Sequence, residues 1–68
     1  MTEAAIKAAV DAFLRHVTYT ARREIEKAVR ATAAEGKLAG KDSINAAMTL
    51  SSEPLDLNVT IYSKIDCA

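Results

Sequence analysis

The residue types able to do chemistry are thinly spread through this sequence: one histidine, one cysteine and nine carboxylates. His16 would act as a general base only with an acid or nucleophile at hand. Cys67 and the acids fall in other segments, and no motif ties them to it. A solvent-exposed histidine near a helix C-terminus, where positive charge is favourable, is the plainer reading. Cys67 has no activating motif around it and reads as a packing residue, and the one residue after it is too few for a prenylation box. A lone cysteine also excludes an intramolecular disulfide and a cysteine-rich zinc site. Glu24 and Glu26 would project about 200° apart on a helix, so they cannot work as a pair, and with Glu35 they read as salt-bridge residues. The segment from Gly36 to Gly40 follows a helix rather than a strand and lacks the Gly-Lys-Ser/Thr of a phosphate loop. The sequence therefore assigns no catalytic, cofactor-binding or metal-ligating residue, and the expectation is a protein that is not an enzyme and carries no cofactor.

The elements that would have to position any site come from periodicity. Ile6, Val10, Phe13, Leu14 and Val17 recur at helical spacing after a capping Thr2 and an acidic Glu3, which predicts a first amphipathic helix over about 3–16 with this face buried. Lys7–Asp11 and Asp11–Arg15 are spaced as ion pairs along it. The β-branched run from His16 to Thr20 is poor helix interior. Thr20 then reads as the N-cap of a second amphipathic helix over about 21–35, with Gly36 as its stop. Ile25, Ala28, Val29 and Thr32 form its buried side, Arg22–Glu26 and Glu26–Arg30 its flanking pairs, and Arg23, Lys27 and Arg30 a cationic stripe opposite.

From Ile44 the period changes to two. Ile44, Ala46, Met48 and Leu50 alternate with polar or small residues, and after Ser52-Glu53-Pro54 the alternation resumes at Leu55, Leu57, Val59 and Ile61. Pro54 suits a turn because it cannot donate to a ladder. This predicts an antiparallel β-hairpin of about 44–51 and 55–66. Ser63 falls on the apolar side, leaving open a continuous strand or a second turn at Tyr62-Ser63. The predicted fold is α+β: two helices packed on a C-terminal hairpin, as one small domain spanning 1–68.

Sixty-eight residues make a core that rarely contributes more than about 3–5 kcal/mol of net stability. With no disulfide or metal set to help, a partner surface is the expected stabiliser. Formal charge is zero, far from the basic balance that phosphate neutralisation favours. The halves differ, however: residues 1–41 carry +3 and residues 42–68 carry −3. Glu3, Lys7 and Asp11 interrupt the alanine-rich start before a signal-peptide core can form, and no stretch reaches the roughly 20 apolar residues of a membrane helix. The expectation is a cytoplasmic protein with no membrane partner.

Thr20, the block Arg23-Glu24-Ile25-Glu26-Lys27-Ala28-Val29-Arg30, Gly36-Lys37-Leu38 and Met48-Thr49-Leu50 resemble a family of small bacterial proteins of about this length that is known only as a domain of unknown function. The resemblance implies one small bacterial protein and transfers no activity or site residue.

Two surfaces remain. A two-stranded sheet has two open edges, and no Lys or Arg lies between Asp42 and Tyr62 to guard them. Leu55, Leu57, Asn58, Thr60 and Tyr62 are the candidate interaction surface. The expected function is that of a non-enzymatic interaction protein, working as a homo-oligomer or as a small accessory subunit of a larger assembly. The alternative is a winged-helix-like DNA-binding regulator using Arg23, Lys27 and Arg30. Glu53 and Asp56 at the hairpin tip oppose a wing's approach to phosphates, so nucleic acid is the less favoured partner.

Overall fold

The computed structural model describes residues 1–67. It is α+β, with a single helix, α1 (Glu3–Ala34), followed by strands β1 (Ser43–Ser52) and β2 (Leu57–Asp66). The backbone divides into two compact units, Met1–Lys37 and Leu38–Ala68.

The first unit is a helix of 32 residues, about 48 Å long at 1.5 Å per residue. Thr2 caps it as expected: its Oγ1 accepts the amide of Ala5 at 3.1 Å. At the other end Glu35 is the C-cap and Gly36 follows at φ +76°. The Gly36 amide donates to the Ala33 carbonyl at 3.0 Å and the Lys37 amide to Thr32 at 3.3 Å, the paired bonds of a Schellman stop. Only glycine takes that φ without penalty, which is why the helix ends here.

The two predicted helices are one. Residues 17–20 are helical, and Thr20, instead of capping a new helix, donates its hydroxyl back to the His16 carbonyl at 3.5 Å. The energetics explain the correction. Val, Thr and Tyr each cost at most about 0.7 kcal/mol relative to alanine in a helix, whereas a break strands four carbonyls and four amides that need new partners. Neither Gly nor Pro lies between Glu3 and Ala34 to force a break, and ten alanines favour continuity. The Arg23 guanidinium lies 5.8 Å from the centre of the Tyr19 ring, a cation–π contact that ties the β-branched stretch to the turn after it.

The second unit is the hairpin. Its register pairs Ser43 with Asp66 through to Ser52 with Leu57 without interruption. The strand is therefore continuous through Tyr62-Ser63, and Ser63 sits opposite Ala46, small against small. Ile44/Ile65, Met48/Ile61 and Leu50/Val59 are cross-strand pairs on one face, while Asn45/Lys64, Thr49/Thr60 and Ser51/Asn58 occupy the other. The hydroxyls of Thr49 and Thr60 hydrogen-bond at 3.2 Å. The Cys67 amide extends the ladder, donating to the Asp42 carbonyl at 2.8 Å.

The strand predicted to begin at Leu55 begins two residues later, because Glu53-Pro54-Leu55-Asp56 forms the turn. The Asp56 amide donates to Glu53 at 3.0 Å, and Asp56 takes φ +50°. Asp tolerates that left-handed conformation better than most residues. Asp56→Gly should leave thermal stability unchanged or raise it, whereas Asp56→Val should lower it by about 1–2 kcal/mol, as read from melts of the hairpin's far-ultraviolet signal. Equal behaviour of the two variants would mean that this φ is not held.

The faces predicted to be buried are not. Among the described residues none is buried; Ile6, Val10, Phe13 and Leu14 are 39, 48, 59 and 47% exposed, and Ile25 43%. A lone helix or a two-stranded hairpin has no interior of its own, and each is marginal in water without something against its apolar side.

Candidate interaction surfaces

Joining the helices changes what the helix offers. Ile6, Val10, Phe13, Val17, Ala21, Ile25, Ala28 and Thr32 follow one another in steps of three and four, and Ile6, Val17 and Ala28 recur every eleven residues. Eleven residues per three turns is 3.67 per turn, close to the 3.6 of a straight helix, so the stripe stays on one side for its whole length. Reading a break at residues 17–20 hid this surface. The signal that would have found it, the eleven-residue recurrence through Val17 and Ala21, was present in the sequence. Of these, Val17, Ala21 and Thr32 are half-buried and the other stripe residues are exposed.

The cationic stripe is less free than its composition suggests. Arg23 lies over Tyr19, and Arg30 Nη2 meets Glu26 Oε2 at 3.4 Å. Of the ion pairs expected along the helix only Glu26–Arg30 forms among the described residues; a second pair, Lys37–Glu35 at 2.8 Å, lies just past the helix end. Both pairs are largely solvated, so each is worth well under about 1 kcal/mol. The helix–turn–helix that a winged-helix reading requires is replaced by uninterrupted helix at residues 17–20.

The five hairpin residues singled out by sequence do not share a face. Leu57 stands on the apolar side. Asn58, Thr60 and Tyr62 stand on the other side, opposite Ser51, Thr49 and Ala47. Leu55 projects from the turn, 74% exposed, and Tyr62 is 79% exposed. Four of them, Leu57, Asn58, Thr60 and Tyr62, share β2, whose only neighbour among the described residues is β1, so each strand of the hairpin has one edge without a strand partner there.

No group of three or more His, Cys, Asp and Glu residues comes together to hold a metal among the described residues. Cys67 is half-buried, with its Sγ 3.8 Å from the Ile65 carbonyl. No helix of the described chain is long and apolar enough to cross a membrane.

One long amphipathic helix followed by a two-stranded antiparallel hairpin makes this an α+β protein. The chain belongs to the Family of unknown function (DUF6494), whose model matches residues 1–68. No curated protein and no solved structure matches it.

Proposed function

We propose that the protein is a non-enzymatic interaction protein that works as a homo-oligomer or as a small accessory subunit. The observation that supports this is the unbroken apolar stripe of α1 together with its exposure: from Ile6 to Thr32 no stripe residue is buried. An apolar strip of this length rimmed by charge marks an association surface. The hairpin's open edges, with Leu57, Asn58, Thr60 and Tyr62 on β2, offer a second contact of a different kind, strand addition. The chain's charge division, +3 over residues 1–41 and −3 over residues 42–68, favours unlike regions meeting during encounter.

Light scattering after size-exclusion chromatography tests the reading. At micromolar concentration the expected mass is at least twice the 7.3 kDa of one chain, or that of a complex if the protein is drawn from its own cells. A 7.3 kDa species that stays folded and alone in both preparations would end this reading. Co-elution with nucleic acid, lost on reversing the charges of Arg23, Lys27 and Arg30, would favour a nucleic-acid partner instead.

A further inference from the structure

The hairpin's ladder decides which backbone groups are left over. The Cys67 amide donates to the Asp42 carbonyl, and these two residues stand opposite each other in the register. An antiparallel ladder alternates, so the even-numbered residues of β1 turn their amides and carbonyls toward β2. Those of Ser43, Asn45, Ala47, Thr49 and Ser51 point away from it. The same alternation turns Lys64 and Asp66 outward on β2. A lysine is a usual guard of a free edge, and β1 has no charged residue along its whole length. The unguarded edge is that of β1.

We infer that β1 pairs antiparallel with β1 of a second copy of this chain, about a two-fold axis at Ala47, to make a four-stranded sheet. This rests on the oligomer reading above and names its edge, partner and register. An axis at Ala47 sets Ala47 against its own counterpart, Asn45 against Thr49 and Ser43 against Ser51. Every outward amide and carbonyl of β1 then has a partner. Moving the axis to Met48 sets Ser43 against the turn residue Glu53, and an axis between two residues sets outward groups against inward ones. The flanking charges select the same centre. Lys41, just before β1, and Glu53, just after it, are equidistant from Ala47, so they come opposite each other at both ends. Self-pairing requires that symmetry, and a foreign strand does not. An axis at Tyr62 on β2 would instead set Lys64 against Thr60 and Asp66 against Asn58, leaving both charges without complement. Residues paired about Ala47 share a face, so the two apolar faces join, with Ile44 beside Leu50 and Ala46 beside Met48 of the second copy. A hairpin alone is marginal, and added strands with a common apolar face are what make a sheet stable.

Disulfide formation in a Cys67→Ser background reads both edge and register. Cα atoms of a hydrogen-bonded antiparallel pair lie about 5.5 Å apart, within disulfide reach, whereas Asn45 would lie roughly 13 Å along the strand from its own counterpart. Ala47→Cys should link to itself. Asn45→Cys and Thr49→Cys should each remain unlinked alone and link when mixed. Ala47→Lys, which brings like charges together at the axis, should raise the dimer Kd about tenfold or more in sedimentation equilibrium. Tyr62→Lys, the matching change on β2, should leave it unaltered, and circular dichroism would check that both variants keep the hairpin. Self-linking by Tyr62→Cys but not by Ala47→Cys, or loss of the dimer with Tyr62→Lys alone, would place the contact on β2 and overturn this inference while leaving the oligomer reading in place. An oligomer in which Ala47→Cys does not link overturns it likewise. A monomer at every concentration overturns both.

Discussion

Phe13→Ala is expected to change sign with protein concentration. In the dilute chain Phe13 is 59% exposed on the helix, so its removal forfeits little burial, while alanine is the better helix former by about 0.5 kcal/mol. Helicity should therefore hold or rise slightly. If the chain associates through this stripe, as proposed above, the ring is covered by the partner surface and truncation should cost about 3–5 kcal/mol per copy. That is at least a hundredfold in dissociation constant. Circular dichroism melts of wild type and variant over a hundredfold concentration range would separate the two regimes. A destabilisation of the same size at every concentration would place Phe13 in a core within the chain, and no effect anywhere would remove it from any interface.

The second large effect concerns the join. Thr18→Pro removes the amide that would bond to the Leu14 carbonyl and sets the proline ring against it, costing about 3 kcal/mol or more in a helix interior. It also divides the helix into two segments of roughly 15–17 residues, close to the length where isolated helices are marginal. Most of the helical ellipticity at 222 nm should be lost, and with it any association through α1. Thr18→Ala is the control and should leave the helix intact or slightly stronger. A Thr18→Pro variant with full ellipticity would mean that the chain turns at this point after all.

Much of this architecture was legible from residue types. Thr2 and Gly36 are strong because each supplies something the helix end lacks, a side-chain acceptor or a left-handed residue. The change of period at Ile44 follows from the pleat itself. The misreadings share a cause. The stretch from Val17 to Thr20 and the dipeptide Leu55-Asp56 were judged by propensity and alternation, each worth a few tenths of a kcal/mol per residue. What decided them was backbone hydrogen bonding: the cost of stranding a helix end in one case, the turn bond between Asp56 and Glu53 in the other. The candidate surface was mixed for a similar reason, since consecutive strand residues such as Leu57 and Asn58 cannot lie on one face. The eleven-residue recurrence of Ile6, Val17 and Ala28 carries the helix stripe in the sequence, but it becomes one surface only once the join at residues 17–20 is helical.

The backbone pairings have a consequence for time rather than energy. Across the hairpin the hydrogen bond between the residues farthest apart in sequence is that of Cys67 to Asp42, and every bond of the helix and its stop spans five residues or fewer. Nothing within a unit waits on the closure of a long loop. Helices of this size relax in about a microsecond and hairpins in about 1–10 microseconds. Each unit should thus reach its own structure almost as soon as denaturant is removed. A slower phase independent of protein concentration belongs to isomerisation of the Glu53–Pro54 bond in the unfolded chain, and a rate that climbs with protein concentration would identify one chain finding another.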